Sequence, residues 1–413
     1  MTARLTADLF QSWIYIFRRR GGLPMFYQLC ALAMTCLVLG IAAVRRCSPY
    51  SPIVINAFIW LVTFIVGLIF DKRFYPLQEK AFIAWTIWFM VTSLIFFLLS
   101  PSNLKSSWND SEKRRIPVDY SLLLILLLLW LIYKIWIVGS GGPEHFFINL
   151  RWSSLGVEGF IPYGIISRFY PLVFSLFLFE HVYACQENRR LRFLLWIYML
   201  LAAVATMSKI QILTPVLSWL IIQGVKGRVN VGRIIVLIAV AFLLMIPLHF
   251  VRGEGSYVTS IDDIIALYIY SPLVAFEYMN VDSSMPFGAY VFRFFYAIGN
   301  ILGIAPEPVV LILPYLNVPI LTNVYTIMHP FYHDFGMLGV LLQASIYGFF
   351  FGFLYLFSVK KGGLWLILFS GYSIVLVAQF IVDLLITLFS FNLQFLIYTL
   401  AIFWFSRRIY HDL

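Results

Sequence analysis

The chain has 413 residues, of which 62% are hydrophobic and only 12% are charged. Soluble domains are about one quarter charged, so this composition excludes an ordinary soluble protein and predicts a polytopic membrane protein. The net charge of +10 does not indicate a nucleic-acid partner, because the Lys and Arg residues stand in short clusters between apolar runs, where they act as topology anchors.

The first 24 residues contain a short apolar patch that ends in Arg18, Arg19 and Arg20, which predicts an interfacial helix. The rest of the chain is dominated by apolar runs of roughly 17 to 25 residues, the length that a membrane-crossing helix needs. We predict an all-α fold with about 11 (11–12) crossing helices in one transmembrane domain, 1–413. The predicted helices are 25–44, 52–70, 81–99, 118–138, 163–184, 192–207, 210–225, 232–250, 336–358, 363–384 and 388–406.

Short basic segments predict the orientation of these helices. When the helices alternate, the basic segments fall on one side of the membrane, which the positive-inside rule assigns to the cytoplasm. The same alternation puts the basic N-terminus outside, so either one early helix is miscounted or the first apolar patch is partly embedded. The basic segments are 187–192, 226–228, 360–361 and 407–408.

Two loops, 139–162 and 251–335, then face the outside together. The longer loop mixes charged residues, Tyr, Gly and Pro, and lipid tolerates such a mixture only when protein or water covers it. We therefore predict that the two loops form the functional face.

Within the long loop, Ser260 precedes Asp262 and Asp263, a pattern that predicts a capped helix start. Ile261, Ile264, Ile265 and Tyr268 follow at helical spacing, so we predict a helix along the membrane surface that Pro272 ends. Capping explains the two acids more simply than a divalent ion does.

The run 291–314 is long enough to cross the membrane. A crossing there would invert every later loop and put Lys360 and Lys361 outside. We therefore predict re-entrant or surface helices packed over the bundle.

The sequence contains no Walker loop, GxSxG elbow, Rossmann fingerprint, HExxH or CxxCH motif, so ATP-driven transport and cofactor chemistry lose support and we expect no cofactor. What remains is a set of external cations near predicted helix ends. Guanidinium groups keep their charge and bind phosphate through paired hydrogen bonds, so a cluster of them suits a lipid diphosphate. A single such residue is more often a snorkelling or topology-setting cation. The candidates are Arg151, Arg168, Arg252 and Arg293, with Lys209 at the turn between two helices.

Two of these arginines stand near glycines. Arg151 follows the run 139–143, in which only Ser140 is neither Gly nor Pro, and this predicts either a flexible lip over a site or a plain mobile turn. Arg252 opens the segment Arg-Gly-Glu-Gly-Ser, whose glycines allow close backbone approach to a ligand or form a turn at a helix exit.

His329, His333 and Asp334 stand in the segment His-Pro-Phe-Tyr-His-Asp. The spacing of the two histidines is compatible with zinc, but Pro330 disfavours a regular helix across them and only Asp334 offers a third ligand, so we predict no metal. An imidazole or a carboxylate on a wet surface is better suited to act as a general base or to bind a sugar.

In these pieces, and in their order, the sequence resembles the bacterial O-antigen polymerase family (Wzy-type oligosaccharide repeat-unit polymerases). The pieces cover most of the chain after residue 140. Lys209 occupies a position that is often Arg in the family. Lysine keeps the positive charge but cannot form the bidentate hydrogen bonds with phosphate that arginine forms. The pieces are the external loop with Arg151, ATMSKIQIL at 205–213, Arg252 ahead of YIYSPLVAF, GAYVFR at 288–293 and YHDFGMLG at 332–339.

The resemblance implies a membrane-embedded glycosyltransferase of lipopolysaccharide biosynthesis. A growing glycan on undecaprenyl diphosphate would move to the non-reducing end of an incoming lipid-linked repeat unit, with inversion and without a metal. The implied partners are that lipid-linked oligosaccharide, membrane lipids and a chain-length regulator protein. The resemblance assigns diphosphate binding to Arg151, Arg252, Arg293 and Lys209. It assigns acceptor binding or general-base catalysis to His333 or Asp334, together with Arg252 as a catalytic residue. It assigns sugar contacts to Tyr268, Tyr270, Tyr332 and His329.

Three alternatives remain open. An O-antigen ligase would use a similar external loop but transfer the glycan to lipid A core. A transporter or flippase for a lipid-linked sugar would place charges near the bilayer midplane in broken helices, and the spanning segments hold few charges. A purely structural membrane subunit would not need Arg, His and Tyr concentrated in two loops on one side.

Overall fold

A computed structural model of the chain describes residues 23–100, 113–183, 189–228, 247–251, 260–310 and 312–409. The described part is mostly helical, so the prediction of an all-α polytopic membrane protein is confirmed at this level. Its strands form two small antiparallel ladders, in which β1 (Lys113–Arg115) pairs with β4 (Arg407–Ile409) and β2 (Leu316–Asn317) pairs with β3 (Leu321–Thr322).

The helices follow the hydropathy of the sequence closely, because apolar runs of this length form backbone hydrogen bonds within one helix. They are α1 (Leu23–Val44), α2 (Pro52–Phe70), α3 (Glu79–Leu99), α4 (Ser121–Gly141), α5 (Phe146–Leu155), α6 (Tyr170–Val182), α7 (Arg189–Thr206), α8 (Lys209–Val225), α9 (Ile261–Ile269), α10 (Ser271–Tyr278), α11 (Arg293–Ile301), α12 (His329–Lys361), α13 (Gly363–Ala378), α14 (Leu384–Thr387) and α15 (Phe389–Phe405).

Six helices of the described ranges are long and apolar enough to cross a membrane: α1, α2, α3, α4, α12, and α6 with the 3-10 turn before it. Three shorter apolar helices, α8, α13 and α15, accompany them. The predicted number of about 11 is therefore not confirmed. Helix α7 carries three arginines in its first turn, α13 ends at Ala378 instead of near 384, and the predicted helix 232–250 lies mostly outside the described residues.

The basic segments lie together at one end of the bundle, which we call the basic end. Lys226, after α8, donates hydrogen bonds to the carbonyl oxygens of His181 and Val182 at the end of α6, at 3.2 Å for His181. Helix α13 begins at this end, because Gly363 lies against the Tyr183 hydroxyl. Helix α15 runs parallel to α6 and brings β4 to the same end. This grouping is the one that alternating helices predict.

At the opposite end, α9 and α10 lie across the tips of α2 and α3. The Ser260 hydroxyl accepts the Asp263 N–H at 3.0 Å, which confirms the predicted helix cap. Arg73 pairs with Asp263 and lies 3.8 Å from Asp262, so it fastens α9 to the end of α2. The chain does leave α9 before Pro272, but that proline starts a second helix, α10, which the sequence pattern did not predict.

The run 291–314 contains only one helix within its described residues. Helix α11 has 9 residues, about 14 Å at 1.5 Å per residue, whereas a bilayer core is about 30 Å thick. Ile301 is 84% exposed and Ile304 79% exposed. The described residues of this run therefore contain no helix long enough to cross a membrane, and the placement of α11 on the membrane surface stays a prediction.

Helix α12 is broken near its start. Gly336 has a φ of 62°, a left-handed conformation that favours glycine, and it separates a short first segment, His329–Phe335, from the long second segment. Gly339 keeps the two segments close, because a Cβ there would collide with the carbonyl of Phe331. The break turns the first segment toward the long loop.

A buried polar network lies in the core where α12, α13 and α14 meet. The Asp383 carboxylate accepts hydrogen bonds from the Tyr347 hydroxyl at 2.7 Å and the Gln343 amide at 2.9 Å, and it caps α14. The same Gln343 amide donates to the Ile327 carbonyl at 2.7 Å, and the Ile327 N–H donates to the Gln379 carbonyl at 2.8 Å. The network therefore holds the chain just before the first segment of α12.

Candidate active site

Two groups of polar residues occupy the end of the bundle opposite the basic end. The first, which we call the Lys209 group, consists of Arg151, Thr206, Lys209, His249 and Tyr268. The second, which we call the His333 group, consists of Asp282, Tyr290, Val291, His333 and Asp334. The pair α9–α10 lies between them, with Tyr268 on α9 in the first group and Phe276 on α10 packed against Tyr332 beside the second.

The Lys209 group is built at the turn between α7 and α8. Lys209 is 9% exposed; its ammonium donates to the Tyr268 hydroxyl and lies 3.7 Å from the centre of that ring. Nδ1 of His249 lies 2.9 Å from the same hydroxyl. The Arg151 guanidinium reaches the Thr206 carbonyl at 3.5 Å. Three residues predicted from the sequence, Arg151, Lys209 and Tyr268, are thus brought to one place.

Local backbone features position this turn. Met207 has a φ of 49°, which is uncommon for a residue with a side chain and reverses the chain sharply between α7 and α8. Ser154 on α5 donates to the Thr206 carbonyl at 3.1 Å, and the Tyr163 hydroxyl donates to the carbonyl of Ala205. The loop 139–162 therefore contacts the turn directly.

The His333 group joins the first segment of α12 to the loop before α11. Asp334 Oδ2 accepts the N–H groups of Tyr290 and Val291 at 3.0 and 2.8 Å, and its side chain is only 2% exposed. Asp334 Oδ1 lies 3.2 Å from Nδ1 of His333. The carboxylate therefore fixes both the loop backbone and the neighbouring imidazole.

The contacts of His333 define its tautomer. Nε2 accepts the N–H of Asp282 at 3.2 Å, so this nitrogen carries no hydrogen, and Nδ1 donates to Asp334. The ring is therefore neutral with its acceptor nitrogen directed at the loop. A base that acts through Nε2 would have to exchange the Asp282 N–H for a substrate hydroxyl.

Aromatic rings surround the histidines. The Tyr290 ring lies 4.6 Å from His333 and 4.9 Å from His329, and Tyr325 lies 5.0 Å from His329. Burial raises the pKa of the Tyr290 phenol. Tyr332 is half-buried, and the Lys80 ammonium lies 5.9 Å from its ring centre.

Other predicted site residues lie elsewhere. Arg293 is half-buried on α11 and donates to the Val309 carbonyl at 2.6 Å, so it lies near the His333 group and not with Arg151. Arg168 is exposed on the turn before α6. Arg252 lies outside the described residues, three positions after His249.

Tyr270 is removed from the candidate site by its packing. The ring lies directly on Gly67, where a Cβ would collide with it, and meets Phe74 edge-on at 5.5 Å. Its hydroxyl accepts from Gln28 at 2.6 Å, and the residue is 1% exposed. These contacts fasten α9–α10 to α1 and α2, which is a structural role in place of the predicted sugar contact.

Sequence reasoning missed two charged residues beside Tyr332. Glu277 on α10 is 8% exposed and accepts the Ala81 N–H at 2.7 Å, and Lys80 donates to the Met279 carbonyl at 3.2 Å. Burial raises the pKa of Glu277, while the Ala81 N–H and the Lys80 ammonium oppose the rise. The sequence offered one signal for Glu277, namely that it is the single acidic residue in the otherwise apolar segment SPLVAFEY.

We expect Glu277→Gln to change how stability depends on pH. A carboxyl whose folded pKa is raised contributes stability that is present below its unfolded pKa and is lost as pH rises through the folded pKa. The glutamine cannot lose a proton and still accepts the Ala81 N–H. The unfolding midpoint of the variant should therefore match the unmodified protein near pH 4 and exceed it increasingly at higher pH.

Thermal unfolding in detergent between about pH 4 and 7.5 measures this difference. Glu79→Gln removes an exposed acid of the same helix end and serves as the control. Glu277→Ala should cost about 1 kcal/mol through the lost helix cap. A constant difference between Glu277→Gln and the unmodified protein across this range would contradict the interpretation.

The described residues contain no group of three or more His, Cys, Asp and Glu side chains arranged to hold a metal ion. His329 and His333 lie on one helical segment, with ring centres 6.0 Å apart. The Asp334 carboxylate and both nitrogens of His333 already form hydrogen bonds within the protein.

Comparison with known proteins gives one partial likeness. Over 160 residues the chain is 27% identical to an O-antigen polymerase of Shigella dysenteriae. The matched part is 37% of this chain and 40% of that polymerase, so the chain spans well under two thirds of the relative. No family model and no solved structure matches the chain. The likeness agrees with the family that the motifs suggested.

Proposed function

We propose that the protein is a polymerase of lipid-linked oligosaccharide repeat units. The observation that carries the proposal is the convergence of Arg151 and Lys209, from separate elements, on one turn beside Tyr268 and His249. The partial likeness to an O-antigen polymerase supports the same role.

In the proposed reaction, an acceptor sugar hydroxyl attacks the anomeric carbon of the growing glycan. The bond from that carbon to the diphosphate oxygen breaks, the configuration inverts, and undecaprenyl diphosphate leaves with the electron pair. Cations in a site of low dielectric stabilise the charge that develops on the diphosphate. Lys209 and Arg151 supply that charge, and the resemblance assigns the same role to Arg252, three positions after His249 in the sequence.

His333 is the proposed proton acceptor. Asp334 holds the hydrogen on Nδ1, which leaves Nε2 as the basic nitrogen. The acceptor hydroxyl would replace the Asp282 N–H at Nε2. Tyr268 in the Lys209 group, Tyr290 in the His333 group and Tyr332 beside it supply ring faces and hydroxyls for sugars.

The further features of the proposal rest on the family resemblance and on the positive-inside rule. The active face is periplasmic, opposite the basic end, in an inner membrane. The reaction uses no metal ion. Membrane lipids surround the helices, and a chain-length regulator protein acts as a partner.

Reconstitution tests the function directly. The purified protein in liposomes is incubated with a defined undecaprenyl-diphosphate repeat unit, with and without chelator, and the glycan is separated by length. We expect a ladder of repeats in both cases, and none with a His333→Gln variant, which keeps size and polarity but not the basic nitrogen.

The outcomes separate the alternatives. A ladder that disappears with chelator would contradict the metal-independent step. Transfer of preformed glycan to lipid A core without a ladder would identify a ligase. Movement of the substrate across the bilayer without new glycosidic bonds would identify a transporter.

A further inference from the structure

A second site of different character lies at the basic end. A cleft of about 370 Å³ opens between the end of α6, the start of α7 and the end of α8. Lys209 and Gln223 stand at opposite ends of α8, 14 residues apart, which is about 21 Å along the helix. The cleft is therefore separate from the Lys209 group. We call it the basic cleft and use six of its lining residues: His181, Arg189, Arg192, Arg228, Trp196 and Trp219.

Cations line the basic cleft. Three of its lining residues are arginines, and none of the lining residues that the structure describes is acidic. Arg189 and Arg192 form no ion pair with any residue in the described ranges. Lys226 adds a cation close by, where it donates to the His181 carbonyl. Such a concentration of guanidinium groups in a concave site favours a bound anion.

His181 lines the basic cleft at the end of α6. Its Nδ1 lies 2.7 Å from the Phe177 carbonyl of its own helix, so this nitrogen donates, and the residue is 6% exposed. The ring lies edge-on to Trp196, with centres 5.8 Å apart. These contacts therefore hold the imidazole in one orientation in the wall of the cleft.

Two tryptophans form the other wall. Trp196 and Trp219 meet edge-on with ring centres 6.4 Å apart, and both are half-buried. Neither indole N–H has a hydrogen-bond acceptor among the residues that the structure describes. Tryptophan combines an apolar face with one donor, and it is enriched where lipid headgroups meet the hydrocarbon.

Arginines that only set topology need neither a concave surface nor an aromatic wall. Here Arg192 is half-buried and lines the cleft, and Arg189 lines it as well although it is exposed. Arg190 is also exposed but does not line the cleft, so position in the cleft, and not burial, distinguishes Arg189 and Arg192 from their neighbour.

We propose that the basic cleft binds a phosphate group, supplied by the headgroup of an anionic membrane lipid. Arg189 and Arg192 bind the phosphate oxygens, and the tryptophan faces contact the glycerol and upper acyl carbons. Basic pockets between transmembrane helices on this face of a membrane protein suit anionic headgroups. The proposal does not depend on the reaction at the other end.

The test measures lipid retention by the purified full-length protein in detergent. Phosphatidylglycerol is titrated, and bound lipid is counted by native mass spectrometry, with phosphatidylcholine as the neutral comparison. We expect the double variant Arg189→Gln/Arg192→Gln to bind phosphatidylglycerol about 30-fold more weakly, from about 1 kcal/mol for each arginine.

Two further variants make the result specific. Arg190→Gln removes the same charge one residue away and should bind as the unmodified protein does. Arg189→Lys/Arg192→Lys keeps the charge and should retain most of the binding, which shows that the glutamine variant fails through charge and not through misfolding.

A competition arm identifies the source of the phosphate. Inorganic phosphate at millimolar concentration should not displace the lipid, whereas displacement would assign the cleft to a soluble phosphate compound and overturn the lipid assignment. Equal binding by the double variant and the unmodified protein, or an equal loss in Arg190→Gln, would overturn the site itself.

Discussion

Replacing Lys209 with methionine should lower the rate of glycan extension by about 100-fold to 1,000-fold, the usual effect of removing one group that stabilises charge in a transition state. Lys209 is 9% exposed, so its ammonium acts in a site from which most water is excluded. Methionine matches the length of the side chain and removes only the charge. The rate of ladder growth in liposomes measures the effect.

Two companion variants interpret this result. Lys209→Arg keeps the charge and should retain a substantial part of the rate. Lys72→Met removes an exposed lysine at the same end of the bundle and should leave the rate unchanged. If Lys209→Met extended glycans as fast as Lys72→Met, the Lys209 group would not bind the diphosphate.

Replacing Asp334 with alanine should destabilise the protein by roughly 2 to 4 kcal/mol. The carboxylate accepts two backbone N–H groups and holds His333, and its side chain is 2% exposed. Each buried donor left without an acceptor costs about 1 to 3 kcal/mol. The loss is measured as a lower unfolding midpoint in detergent.

Asp334→Asn keeps one acceptor oxygen for the loop and should lose less stability than the alanine variant. Glu307→Ala removes an exposed acid in the following loop and serves as the control. An Asp334→Ala midpoint equal to that of Glu307→Ala would show that the carboxylate does not hold the loop.

The helices were largely predictable, since apolar run length alone determines where a chain can form a membrane helix. The grouping of basic loops and the short helix within 291–314 were also predictable. Both follow from alternating helices and from where Lys and Arg stand. The sequence analysis placed Arg151 and Lys209 on the same face of the membrane. It did not predict that Arg151 contacts the turn before Lys209.

Contacts between distant parts of the chain were not predictable. The sequence analysis assigned Tyr270 to sugar contacts and gave Glu277 no role, yet Tyr270 packs on Gly67 and Glu277 caps α3. Local sequence does not identify Gly67 or the start of α3 as the contact partner, because any small residue or any helix N-terminus could accept the same contact. Arg293 is a similar case, since it donates to the backbone carbonyl of Val309, a partner that local sequence does not identify.

The buried network at Asp383 has a consequence for genetics. Through Gln343 it holds the Ile327 carbonyl, two residues before the segment that carries His333. A screen for inactive alleles should therefore recover Asp383 and Gln343 together with His333, although neither touches the proposed sugar path. Second-site suppressors in the surrounding helices should rescue the Asp383 and Gln343 alleles, because they can restore the position of α12. They should not rescue a His333 allele, because they cannot replace the lost imidazole.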